Sequence, residues 1–154
     1  MTGSNGNASQ SQTILLVEDN PGDARLVTEV CRDMGLTDVL HTVSTGSDAL
    51  DFVNQRGEYV DSPQPDLIIL DWHLADVDCE AILAELDSDP DHGHIPVIVT
   101  TGPLSEREVR KVYETNANAC IMKPAGPDEL EETIRAVEAF WLSTARLPSR
   151  TETQ

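Results

Sequence analysis

The sequence predicts an α/β fold: a doubly wound parallel sheet of five strands with helices on both faces. Two observations carry this. Short apolar runs alternate five times with segments of helical periodicity, and alternating βα units imply parallel strands joined by right-handed crossovers. The runs Ile14–Val17 and Leu67–Leu70 are continuous rather than alternating, as expected of strands buried on both faces.

Each element has its own signal. Thr13-Ile14-Leu15-Leu16-Val17 is the first strand, broken by Glu18-Asp19-Asn20-Pro21-Gly22-Asp23. Asn20 or Asp23 is a candidate cap for the helix that follows. Val27, Val30, Cys31 and Met34 share one helical face, and Gly35 stops that helix. Val39–Val43 is the second strand; Ala49, Phe52 and Val53 mark a helix ending near Gly57. After a proline-containing loop, Leu67–Leu70 is the third strand, ending at Asp71. Ile82, Leu83 and Leu86 mark the third helix, closed by Ser88-Asp89-Pro90. Ile95–Val99 is the fourth strand, ending at Thr100, and Val109, Val112 and Tyr113 mark the fourth helix. Ala119–Met122 is the fifth strand, ending at Lys123-Pro124. Leu130, Ile134, Val137 and Trp141 give the last helix its 3.6-residue period.

The 154 residues suit one domain, expected over residues 13–145 between a disordered polar tail (1–12) and a second polar tail (146–154). No apolar run approaches the roughly 20 residues of a membrane span, and the opening residues have no signal-peptide core. Cys31, Cys79 and Cys120 are an odd, scattered set with no CxxC, which fits a reduced cytoplasm. Asp and Glu number 28 against 10 Lys and Arg, a net charge of −18. Such a surface excludes broad binding to a nucleic-acid backbone. The chain has two lysines, Lys111 and Lys123. An acidic, lysine-poor surface over an ordinary core resembles proteins of salt-accumulating halophiles, so a haloarchaeal, halophilic source is expected.

In open α/β sheets the functional crevice lies beyond the carboxyl ends of the strands. Glu18 and Asp19 follow the first strand, Asp71 the third, Thr100 the fourth and Lys123 the fifth. Clustered carboxylates raise each other's pKa unless positive charge sits among them. Mg²⁺ takes such oxygen ligands while keeping waters. A carboxylate is also a nucleophile toward phosphorus, and a transferring phosphoryl group needs cations and donors at its oxygens. Mg²⁺, Lys123 and Thr100 would provide them.

Leu16-Val17-Glu18-Asp19-Asn20, Leu70-Asp71, Val99-Thr100-Thr101 and Met122-Lys123-Pro124 resemble the motifs of the response-regulator receiver domain. The resemblance spans residues 13–142 and is to single-domain, CheY-like regulators. It implies the flavodoxin-like (βα)5 fold with strand order 2-1-3-4-5. It implies a two-component phosphorelay protein, not an enzyme in the ordinary sense, that assists its own phosphorylation and dephosphorylation. The donor would be a sensor histidine kinase, with the Glu-Asp-Asn-Pro-Gly-Asp turn and the long loop before the third strand similar to standalone receivers that partner phytochrome-type and other sensor kinases. By the same resemblance Asp71 is the phosphoacceptor, and Glu18, Asp19, Asp71 and the backbone carbonyl of His73 hold Mg²⁺. Thr100 is the switch hydroxyl, Lys123 pairs with the phosphoryl oxygens, and the Lys123-Pro124 bond is commonly cis. The responding surface would lie near the fourth helix, fifth strand and fifth helix. The downstream partner would be a protein, with no nucleic acid or membrane, and the chain a monomer or a phosphorylation-dependent dimer.

Some positions depart from that pattern. Cys120 occupies the usual aromatic switch position, Ala75 a frequent proline and Cys79 a frequent glycine. His73 and Gly102 occupy two positions that tune dephosphorylation in the family. The same strand-end residues also admit a phosphorylation-independent interaction module, an Asp-nucleophile phosphohydrolase, and an FMN carrier. The phosphohydrolase would want an acid at position 73; the carrier's phosphate would meet Glu18 and Asp19. His92-Gly93-His94 reads as a solvated loop rather than a zinc site. Cys31 and Cys120 read as small core residues, His41 as a strand-edge residue and Trp141 as packing.

Overall fold

The computed structural model describes residues 12–115, 117–123 and 126–139 of the chain. The expected tails, apart from Gln12, lie outside the described residues, as do Pro124 and Trp141. Among the described residues five strands and five α-helices alternate: β1 (Ile14–Val17), α1 (Pro21–Asp33), β2 (Leu40–Val43), α2 (Gly46–Asn54), β3 (Leu67–Asp71), α3 (Cys79–Ser88), β4 (Val97–Thr101), α4 (Glu106–Tyr113), β5 (Ala119–Met122) and α5 (Pro127–Val137). All strands are parallel, in the order β2-β1-β3-β4-β5.

Strand alternation divides the core between the two sheet faces. Leu15 and Val17 of β1, Ile68 and Leu70 of β3, and Val97 and Val99 of β4 pack with Phe52, Val53, Ile82, Leu83 and Val112 from α2, α3 and α4. On the other face lie Ile14, Leu67 and Ile98. There Val30 and Cys31 of α1 pack with Leu130 and Ile134 of α5. Both faces of β1, β3 and β4 are therefore covered, which is why the chain runs apolar without a break over residues 14–17, 67–70 and 97–99 before the polar strand ends.

Local chemistry sets the helix ends. Asn20 caps α1 by accepting from the Asp23 N–H at 2.9 Å, and Pro21 opens the helix where its missing N–H costs nothing. Gly35, at φ 78°, turns the chain out of α1. Ser105 and Glu108 cap α4 reciprocally, each side chain accepting from the other's backbone N–H.

Two expectations are corrected. β4 begins at Val97 rather than Ile95, because Pro96 has no N–H for the ladder, although its carbonyl accepts from the Ile68 N–H at 3.0 Å. His92 is buried rather than solvated: its ring Nδ1 lies 3.0 Å from Asp89 Oδ2 and its N–H donates to the Asp89 carbonyl.

Candidate functional site

The strand ends do not fray where the site begins. The Glu18 N–H donates to the Val43 carbonyl at 3.1 Å, the Trp72 N–H to the Thr100 carbonyl at 2.8 Å, and the Lys123 N–H to the Thr101 carbonyl at 2.7 Å. These bonds extend the parallel ladders past β1, β3 and β5. The first residues of three loops thus inherit the precision of the sheet, as a site on rigid elements requires.

Alternation then decides where the side chains go. Glu18 shares its parity with Ile14 and Leu16, and Asp71 with Leu67 and Ile69, so both carboxylates turn to the α1/α5 side. Glu18, Asp19 and Asp71 each present an oxygen within 4.8 Å of the other two. Glu18 and Asp71 are buried, at 4% and 3% exposure, and Asp19 is half-buried. Three carboxylates this close are a hard-oxygen donor set that suits a divalent cation.

Lys123 is the positive charge in the pocket. Its Nζ lies 3.0 Å from a Glu18 oxygen, 3.1 Å from Asp23 Oδ2 and 3.5 Å from Asp71 Oδ2. Burial pushes the Glu18 carboxyl up to about 7; Lys123 opposes the shift and Asp71 adds to it. Burial alone would lower the Lys123 ammonium, but its bonds to Glu18 and Asp23 and the charge on Asp71 outweigh this and raise it. The ammonium is thereby held fully charged.

The loop after β3 is tied back to the same cluster. Asp71 Oδ1 accepts from the His73 N–H at 3.2 Å, and Asp19 Oδ2 from the Ala75 N–H at 3.0 Å. Asp76 accepts from the N–H groups of Gly46 and Ser47, at 2.9 and 3.1 Å, at the start of α2. Cys79 is buried, and its thiol donates to the Asp71 carbonyl at 2.6 Å. Burial and the nearby carboxylates push that thiol up to about 12.

Thr100 is half-buried and lines a largely apolar cavity of about 90 Å³ between α1, α5 and the sheet, together with Glu18, Asp23 and Lys123. Trp72 is half-buried and packs on the opposite core, away from the Asp71 carboxylate. The Cys120 N–H donates to the Tyr113 hydroxyl at 3.1 Å, so the side chain of an exposed tyrosine on α4 reaches the backbone of a strand that has no aromatic residue of its own.

The structure thus brings Glu18, Asp19, Asp71 and Lys123 together, with Thr100 at the rim and the His73 backbone beside Asp71. Two residues acquire a place that sequence reasoning did not assign. Asp23 reads from sequence as a candidate cap, yet it contacts Lys123; an acid in the first turn after the β1 loop is the signal the sequence carries. Asp76 carries no sequence signal, since its partners lie 30 and 29 residues away.

Fold and pocket together define a doubly wound α/β protein with an acidic, lysine-bearing crevice at the carboxyl ends of its strands. The chain belongs to the response regulator receiver domain family, whose model matches residues 14–135. It is 38% identical over 138 residues to response regulator Rcp1 of Synechocystis sp., covering 90% of this chain and 94% of that one. It is 30% identical to the probable methanogenesis regulatory protein FilR2 of Methanothrix harundinacea, covering 88% and 86%. Among solved structures, phosphorylated RcpA, a cyanobacterial phytochrome response regulator, superposes with a TM-score of 0.81 at 38% identity, covering 90% of this chain and 99% of that chain. The Mn²⁺-bound form of Rcp1 superposes at 0.76, with the same identity and coverage.

Proposed function

We propose that Asp71 accepts a phosphoryl group from a sensor histidine kinase, with Mg²⁺ held by Glu18, Asp19, Asp71 and the backbone carbonyl of His73. One observation carries this reading: a buried carboxylate at the end of the central strand shares a pocket with two further acids and a single lysine. The phosphorylated form of RcpA and the Mn²⁺-bound form of Rcp1 support it. A carboxylate oxygen of Asp71 attacks phosphorus, and the bond from phosphorus to the donor's nitrogen or oxygen breaks as the donor leaves. Lys123 and the Thr100 hydroxyl meet the phosphoryl oxygens. Mg²⁺ supplies positive charge to the group in flight and offsets repulsion among the three acids. In this reading the protein is a cytoplasmic signalling switch rather than a metabolic enzyme. Its output is a change of surface around α4, β5 and α5, offered to a protein partner and not to nucleic acid.

The test is labelling by acetyl phosphate with Mg²⁺. Wild type should incorporate phosphate and Asp71→Asn none, while circular dichroism shows the fold unchanged. Full labelling of the variant removes Asp71 from the role.

A further inference from the structure

Among the described residues Lys123 has three acidic neighbours, and one of them, Asp23, stands outside the trio that converges for metal. Asp23 is placed independently of the pocket. It sits in the first turn of α1, with its N–H held by the Asn20 cap. Its carboxylate is about half exposed, at 48%, whereas that of Glu18 is 4% exposed. The lysine side chain is 25% exposed and bridges the two, at 3.0 Å from Glu18 and 3.1 Å from Asp23, closer than its 3.5 Å to Asp71. A phosphoryl group on Asp71 would ask this ammonium to turn toward its oxygens. A divalent cation would take over the neutralisation of Glu18 and Asp71. Asp23 would then remain as the one carboxylate still competing for the lysine.

We infer that Asp23 is a positioning residue that restrains Lys123 in the resting protein and opposes its transfer to an anion on Asp71. This rests on the proposed role of Asp71 and Lys123. It makes the strength of the Lys123–Asp23 pair a setting for how readily the pocket accepts a phosphoryl group. A partly exposed ion pair is a weak restraint, so the effect of its loss is modest and measurable.

The chain's two lysines make the restraint directly observable. Labelling with 13C-lysine gives two Cε resonances, and Lys111→Arg identifies the one from Lys123. Beryllofluoride with Mg²⁺ serves as the phosphoryl probe. In the free protein, Asp23→Asn should move the Lys123 resonance toward its beryllofluoride-bound position and leave that of Lys111 in place. The variant should bind beryllofluoride about three-fold more tightly, and Asp23→Glu, which keeps the charge, should return affinity toward wild type. An unmoved Lys123 resonance, or an affinity in Asp23→Asn equal to or below wild type, overturns the restraint and leaves the acceptor reading standing. Equal tightening in Asp23→Glu also overturns it. Failure of wild type itself to bind beryllofluoride removes the acceptor reading, and this inference with it.

Discussion

Glu18 carries the sharpest electrostatic conflict among the described residues. It is buried beside Asp71, and burial pushes its carboxyl up to about 7 even with the Lys123 ammonium 3.0 Å away. Such a pocket stores repulsion that a cation relieves, and sites of this kind cost stability in the empty protein. Replacing Asp71 by Asn removes one charge but keeps an oxygen for the His73 N–H, and Lys123 keeps Glu18 and Asp23. Urea unfolding in EDTA should show Asp71→Asn more stable than wild type by about 1 kcal/mol. Equal or lower stability would mean that the acids are not in conflict. Mg²⁺ should raise the stability of wild type and have little effect on the variant. Trp72 reports the same event, because its backbone follows Asp71 directly while its ring packs in the core. Its emission should change saturably with Mg²⁺ at fixed ionic strength, and Asp19→Asn should abolish that response. An identical response in both proteins would assign Mg²⁺ to the acidic surface at large.

The loop after β3 and the start of α2 form one mechanical unit through Asp76. Slight burial raises the Asp76 carboxyl, but bonds from the Gly46 and Ser47 N–H groups and the Ser47 hydroxyl outweigh it, so the group lies below its ordinary 3.8. A depressed carboxyl contributes stability above 3.8 and loses that contribution as pH falls below 3.8 through the folded value. Asp76→Asn should therefore be less stable than wild type by a constant margin near neutrality, and the margin should shrink below pH 3.8. A margin independent of pH would mean that the carboxylate charge plays no part. Gly46 belongs to the same joint: a Cβ there would stand 2.9 Å from Ile82 Cδ1 and 3.0 Å from Val77 Cβ. At the far side, the Ser105–Glu108 box holds α4, eight residues long, so Ser105→Ala should cost about 1 kcal/mol in urea unfolding. A cost near zero would show that α4 is held by Val112 packing alone. Elements of this kind were unevenly legible in the sequence. Continuous apolar runs located β1 and β3, and the choice of Asn20 or Asp23 as cap and the stop at Gly35 marked the ends of α1, because those signals are local. The strand-end acids and Lys123 were legible because parallel topology brings strand ends together whatever their separation in sequence. The Asp76 bridge, the Lys123–Asp23 pair and the burial of His92 depend on side-chain directions across loops, which periodicity does not encode.

At the scale of the whole molecule, charge decides the response to solution conditions. Twenty-eight acidic residues face ten Lys and Arg, for a net charge of −18 on one small chain. Salt acts on this in two opposing ways. It weakens favourable surface pairs such as Arg25–Glu29, Arg135–Glu131 and Arg56–Asp51. Exposed pairs of this kind are worth about 0–1 kcal/mol each. It also screens repulsion among the acids as a whole, which outnumber the basic residues nearly three to one. The Debye length falls from about 10 Å at 0.1 M to about 3 Å at 1 M, shorter than most separations between surface charges. Repulsion is summed over many pairs and attraction over few, so screening of repulsion wins. The thermal midpoint should climb from low salt to molar KCl in the presence of EDTA. A gain of about 2 kcal/mol corresponds to roughly 6 °C in a domain of this size. Asp71→Asn separates this general effect from the pocket, because it removes one charge of the −18 and should leave the KCl slope almost unchanged. A flat or falling midpoint in KCl would mean that the acids are spaced widely enough for water alone to accommodate them.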